Sequence, residues 1–176
     1  MNFKQLIAKY ITGNIPPDEM PEFAYLGMKE GYDSPSLHIL AGLEKKVDSY
    51  EAGNYFKLAL NELGFIIPDN RQAVLQYAAA LAEQIINDKA DVYHGVNEII
   101  ITAIGKYDFN NENKQHVYDS IFFDEVYCIY YTYEDLLEAK TNWVKDKSNK
   151  QLMIEVKKEL FEALKVWNDK VKSLIV

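Results

Sequence analysis

Helix start and stop signals recur along the whole 176-residue sequence, and they constrain its fold more than any other feature. Residues suited to the start of a helix precede successive apolar stripes, and glycines close several of those stripes. The start signals are Pro16, Ser34, Asp48, Asp69, Asp91 and Ser148. Together with the first apolar segment, which stops at Gly13, and the aromatic stretch that begins at Phe122, they predict an all-α fold, a bundle of about eight or nine helices in a single domain over residues 1–176.

The last helix has the clearest start signal. Ser148 with Gln151 three residues later has the sequence of a capping box, and one long apolar stripe follows it. The stripe consists of Leu152, Val156, Leu160, Leu164, Trp167, Val171 and Leu174. If this stripe exceeds what one core buries, the helix joins copies of the chain, so a homo-oligomer is one alternative.

Two segments have strand propensity. The stretches "VNEIIITAI" and "EVYCIYYTY" are rich in β-branched or aromatic residues, and an asparagine-rich loop separates them. A hairpin around 96–131, and with it an α+β fold, is therefore the alternative to the all-α fold.

Periodicity in the second segment favours a helix instead. Apolar residues recur there at spacings of four, three, four and three residues. They are Phe122, Val126, Ile129, Tyr133 and Leu136. On this helix we expect the first four of them to face the core. Three tyrosines, Tyr127, Tyr130 and Tyr131, are expected at its margins, where the ring is covered and the hydroxyl meets water or a partner.

Composition and charge narrow the class of function. The net charge is −8 and Arg71 is the only arginine, so nucleic-acid binding, which needs clustered basic residues, is not expected. An acidic surface favours a basic protein partner. No apolar run is long enough for a membrane span, and the N-terminal segment lacks the features of a signal peptide. We therefore expect a cytoplasmic protein, and the frequent Lys, Asn, Ile and Tyr suggest a bacterial one.

Two histidine–carboxylate clusters have helical same-face spacing. His94 precedes Glu98 by four residues, and His116 follows Glu112 by four. On facing helices these four side chains could hold a metal or a small ligand, which is a second hypothesis for function. His38 has no carboxylate three or four residues away and is interpreted as structural.

No other feature of the sequence indicates catalysis. Cys128 has Tyr, Ile and Val neighbours, which predicts a buried and unreactive thiol. Phosphate-binding, dinucleotide-binding and nucleophile-elbow motifs do not occur, so we predict no cofactor and favour a non-enzymatic function.

Three stretches resemble a family of small, largely uncharacterised bacterial helical proteins. The first is "DSPSLHILAGL", the second "YFKLALNELGF" and the third "LAEQIINDKADVYHGVNEI". The matching residues are Gly31, Asp33, Ser34, Pro35, Leu37, Leu40, Ala41, Gly42 and Leu43, then Phe56, Ala59, Glu62, Leu63 and Gly64, then Asp91, Tyr93 and Gly95. The resemblance implies an all-helical fold in which these motifs form helix caps, turns and close helix contacts. It does not imply any particular activity.

These observations together favour a module that binds another protein, with an immunity-type inhibitor of a basic toxin as the specific version. The expected contact residues combine carboxylates with tyrosines on the stretch that begins at Phe122. They are Asp124, Glu125, Tyr127, Tyr130, Tyr131, Glu134 and Asp135.

Overall fold

The computed structural model describes residues 1–44, 48–88, 91–112, 115–138 and 147–175, and every regular element among them is helical. Eight α-helices follow one another along the described chain. They are α1 (Phe3–Ile11), α2 (Met20–Lys29), α3 (Pro35–Ala41), α4 (Ser49–Glu62), α5 (Asn70–Asp88), α6 (Val92–Glu98), α7 (Asp124–Leu137) and α8 (Asn149–Val171). The all-α prediction is confirmed. The hairpin alternative is wrong for the described part of 96–131, where α6 continues into the π-helical turn Ile99–Ala103.

The predicted caps explain where several helices begin. The side chains of Ser34, Asp48 and Asp91 each accept a hydrogen bond from a backbone N–H in the first turn of the following helix. At α8 the predicted capping box is present: the Ser148 N–H donates to Gln151 Oε1 over 3.0 Å, and the Gln151 N–H donates back to Ser148 Oγ over 3.4 Å.

The chain divides into two compact units, Met1–Tyr77 and Ala78–Val176, and the prediction of a single domain stays a prediction. In the first unit, α1 to α4 surround a core built on aromatic rings. The Phe3 ring meets the Phe56 ring edge to face at 6.1 Å between centroids and the Phe65 ring at 5.9 Å. This core buries Phe3 and Phe56 almost completely.

The second unit is organised around α8. Helices α7 and α8 pack against each other, and α6 contacts both. Trp167 on α8 is 1% exposed, meets the Phe123 ring edge to face at 4.9 Å, and donates its indole N–H to the Ile121 carbonyl over 2.9 Å. The start of α7 is thereby fixed against the C-terminal part of α8.

The orientation of α7 differs in part from the prediction. Tyr118 and Phe122 have left-handed backbones, with φ of 64° and 59°, so the chain turns sharply before α7 begins. Phe122 is left outside the helix and 41% exposed, while Phe123 takes the core position. Tyr130 was expected at the margin but is 4% exposed. The sequence "EDLLEAKTNWVK" at 134–145 also has a helical pattern, and its part from residue 139 onward lies outside the described residues.

The described helices include none that is both long enough and apolar enough to cross a membrane.

Candidate functional site

The outer face of α7 combines acidic and aromatic side chains. The helix has 14 residues, of which four are carboxylates and none is lysine or arginine. Asp124 and Glu125 lie in the first turn, where negative charge is stabilised by the positive end of the helix dipole. Asp135 is exposed in the last turn of the helix. The sequence of α7 therefore produces a surface of one sign of charge.

A shallow pocket of about 420 Å³ opens in this face. It is lined by Tyr127, Cys128, Tyr131, Thr132 and Asp135, whose spacing of three and four residues brings them together on successive turns. The Tyr127 and Tyr131 ring centroids lie 4.6 Å apart with planes tilted by 59°. We call these five residues the α7 pocket.

The carboxylates of this face have no positive partner in the part of the chain that the structure describes. Among the residues that the structure describes, neither Asp124, Glu125 nor Asp135 forms an ion pair with a lysine, an arginine or a histidine. Their negative charge is therefore directed to solvent or to a partner.

Tyr127 in the pocket is held in the neutral form. A hydrogen bond with Tyr131 and partial burial together raise the pKa of Tyr127 well above its usual range. Tyr118 supports the Tyr127 ring edge to face at 5.0 Å. The pocket thus presents two phenol rings beside the Asp135 carboxylate.

Cys128 corrects a prediction from the sequence. It was expected to be buried, but it is exposed on the wall of the α7 pocket. Its apolar neighbours in the sequence belong to other faces of the helix, because successive residues are rotated by about 100°.

Behind this face, a hydrogen-bonded cluster joins α7 to α6. The Tyr93 hydroxyl donates to Glu134 Oε1 over 2.5 Å. The Tyr130 hydroxyl lies 2.9 Å from the same oxygen and 3.0 Å from Asn97 Oδ1, and donates to one of them at a time. The Tyr93 and Tyr130 rings stack at 5.2 Å with planes 11° apart. Of the seven predicted contact residues, Tyr130 and Glu134 therefore link helices, and the other five lie on the outer face of α7.

The four predicted metal ligands do not come together as a set. His94 and Glu98 line one pocket of about 360 Å³ with Asp91. Glu112 instead accepts a hydrogen bond from the Tyr107 hydroxyl at 2.9 Å, and the exposed His116 donates its backbone N–H to Asp119. In the described parts of the chain, no group of three or more His, Cys, Asp or Glu side chains could hold a metal ion.

Asp91 in that pocket is engaged by the protein itself. Its Oδ1 accepts the N–H groups of Tyr93 and His94, and its Oδ2 pairs with Lys157 on α8 at 2.5 Å. Partial burial raises the pKa of this carboxyl, but these hydrogen bonds and the Lys157 charge outweigh burial and hold it below its usual range. Asp91 therefore caps α6 and fixes it to α8.

One histidine–carboxylate pair was not predicted from helical spacings of three or four residues. His38 Nε2 lies 2.6 Å from Asp33 Oδ1 in an exposed pair, beside a pocket of about 300 Å³. Asp33 precedes the helix cap Ser34, so this pair spans five residues and the helix start, and helical spacing could not reveal it.

The residues of the family resemblance have structural contacts in this fold. Glu62 accepts the backbone N–H and the hydroxyl of Ser36 at 2.9 and 2.7 Å, which ties α4 to the start of α3. These two hydrogen bonds lower the pKa of Glu62, and the bond from the Ser36 hydroxyl has the larger effect. A Cβ atom on Gly95 would lie 2.5 Å from Ile85 Cδ1, so glycine permits α5 and α6 to approach closely.

Comparison with known proteins adds no relative. No protein-family model matches the chain, and no curated protein or solved structure matches it.

Proposed function

We propose that this protein binds a basic protein through the outer face of α7, defined by Asp124, Glu125, Tyr127, Tyr131 and Asp135. The observation that carries the proposal is that Glu125 and Asp135 are exposed, that neither they nor Asp124 form an ion pair among the described residues, and that two tyrosine rings line a pocket beside them. Residues of both kinds are suited to an interface with lysine- or arginine-rich protein.

The charge of the whole chain supports the same partner. A net charge of −8 accelerates the encounter with a basic protein and makes the association sensitive to salt. Tyrosine is enriched at interfaces because its ring contributes contact area while its hydroxyl stays compatible with water. Within the described parts of the chain, Asp124, Glu125 and Asp135 have no ion pair that would have to break before they engage a partner.

The specific version of this proposal is an immunity-type inhibitor that neutralises a basic toxin domain. Size, acidity and the tyrosine-bearing acidic face support it. Co-expression with the product of each neighbouring gene tests it: protection of the cells by the wild-type chain is expected for one such gene. Failure to protect against any of them would remove this version and leave the broader proposal standing.

The broader proposal is tested by capture from a lysate of the source organism at low and at high salt, read by mass spectrometry. The test variant removes three charges from α7 and combines Asp124→Asn, Glu125→Gln and Asp135→Asn. The control variant removes three exposed carboxylates elsewhere and combines Glu44→Gln, Glu51→Gln and Glu159→Gln. Both variants change the net charge equally, so only the position of the lost charges differs.

We expect wild type and control to retain one stoichiometric basic protein at low salt and lose it at high salt, and the test variant to lose it at both. Equal retention by the test variant and wild type would reject α7 as the binding surface. Capture that persists at high salt would reject the electrostatic basis.

A further inference from the structure

The α7 pocket has the chemistry of a receptor for one organic cation. Two phenol rings stand beside a single carboxylate, Asp135, and no basic side chain lies on α7 to compete for it. The Thr132 hydroxyl donates to the Cys128 carbonyl over 2.9 Å, so its proton is already used within the helix. The pocket therefore offers aromatic faces and a negative charge to an incoming group.

We infer that the α7 pocket receives an arginine side chain of the basic partner, with its guanidinium against the Tyr127 and Tyr131 rings and its N–H groups directed to Asp135. This inference rests on the proposed function and specifies which residue of the partner is recognised. It identifies one contact within the larger charged surface.

Arginine fits this arrangement better than lysine for physical reasons. A guanidinium is planar, stacks on aromatic faces and can present two N–H groups to one carboxylate, whereas an ammonium is a compact and strongly hydrated charge. The two rings meet at 59° and form an angled aromatic wall, while Asp135 lies one helical turn beyond Tyr131. A flat cation can thus contact a ring and the carboxylate together.

The pocket is also supported from behind. Tyr131 stands edge to face on Tyr130 at 5.3 Å, and Tyr130 is itself buried and hydrogen-bonded to the Glu134 and Asn97 cluster. Tyr118 supports Tyr127 in the same way. Because neighbouring side chains hold both rings in place, binding loses little conformational entropy of the pocket's tyrosine side chains.

The test uses three peptides of one glycine-spaced sequence whose variable positions are all arginine, all lysine or all citrulline. Citrulline keeps the shape of arginine without its charge. Binding to the full chain is measured at low salt by chemical-shift changes of labelled protein. We expect the arginine peptide to bind about threefold or more tightly than the lysine peptide, which is the preference that an exposed cation–ring contact supplies, and the citrulline peptide not to bind.

Variants then locate the contact. Tyr131 is 43% exposed, so Tyr131→Ala should leave the fold intact, which circular dichroism checks. Tyr131→Ala and Asp135→Asn should abolish the arginine preference, whereas Tyr131→Phe, which keeps the ring, should retain it. Tyr50→Ala, at a tyrosine 77% exposed in the first unit, is the matched control and should change nothing.

The outcomes separate this inference from the proposed function. Equal affinity for arginine and lysine peptides, unaffected by Tyr131→Ala, would overturn the arginine pocket but leave charge-driven binding by α7 in place. Absence of binding to any basic peptide would overturn the inference, and the capture experiment would then decide the proposed function on its own.

Discussion

Tyr130 and Cys128 lie two residues apart on α7 and have opposite environments. Tyr130 is 4% exposed, while Cys128 faces solvent. Both have apolar and aromatic neighbours in the sequence, so composition could not distinguish them. Two residues of helix rotate a side chain by about 200°, and the direction of the helix is fixed by the turn at Phe122, which the sequence does not reveal.

The exposure of Cys128 predicts its reactivity. A small thiol reagent should modify the native protein to nearly one equivalent at neutral pH, because the sulfur is on the surface of the α7 pocket. Mass spectrometry measures the extent, and Cys128→Ser serves as the unlabelled control. Labelling that occurs only after denaturation would contradict the orientation of α7.

The buried tyrosine cluster predicts a loss of stability at alkaline pH. The pKa values of Tyr93 and Tyr130 are both raised from the usual 10.0. The largest cause is the hydrogen bond to Glu134 for Tyr93 and burial for Tyr130. A pKa raised on folding gives stability that is present below pH 10 and is lost as pH rises through the folded-state value. The melting temperature should therefore fall above about pH 10.

Variants test whether the tyrosine cluster causes this loss of stability at alkaline pH. Tyr130→Phe should lower stability by about 1 kcal/mol at pH 7, since it removes a hydroxyl from two acceptors, and should make the fall above pH 10 shallower. Tyr50→Phe, at an exposed ring, should behave like wild type. An identical pH profile for Tyr130→Phe and wild type would show that the cluster does not form.

At the scale of elements, the sequence predicted helix starts better than helix orientation. A cap such as Ser148 with Gln151 is a contact between neighbours in the chain, so its residues and spacing suffice to predict it. The face that a helix buries depends on the path that enters it. Left-handed backbone at Tyr118 and Phe122, where glycine would have signalled a turn, made the core face of α7 partly unpredictable.

The close approach of α5 and α6 predicts the effect of a single methyl group. Gly95→Ala places a Cβ against the buried Ile85 side chain, and overpacking costs about 1–3 kcal/mol, which outweighs the gain of up to about 1 kcal/mol in helix propensity. Chemical denaturation should show a net loss of about 1 kcal/mol. Ile85→Val in the same chain should restore part of it.

Gly53→Ala is the control for that substitution. Gly53 lies inside α4, and a Cβ added there would lie 3.2 Å from the Tyr10 hydroxyl, so a shift of a few tenths of an ångström at the far end of that side chain relieves the contact. This variant should be neutral or slightly more stable than wild type. Destabilisation of both variants to the same extent would mean that helix packing at Gly95 is not the cause.

At the scale of the whole molecule, the contacts that hold the helices of each unit together join distant parts of the sequence. Tyr93 and Glu134 are 41 residues apart, and Ser36 and Glu62 are 26 apart. Such pairs depend on tertiary packing and have no local pattern. The sequence therefore predicted an acidic, tyrosine-bearing helix, but not which of its side chains are exposed and which are engaged by other helices. The net charge is a sum over residues, so the sequence alone was enough to predict it.

The most direct measurement of the central claim replaces Tyr131 with the photo-crosslinking residue p-benzoylphenylalanine in cells of the source organism. Tyr50, a tyrosine outside α7 that is more exposed than Tyr131, is replaced in the same way as the control. Binding through α7 predicts one crosslinked basic protein from position 131 and none from position 50. No crosslink from position 131, or the same partner from position 50 alone, would contradict it.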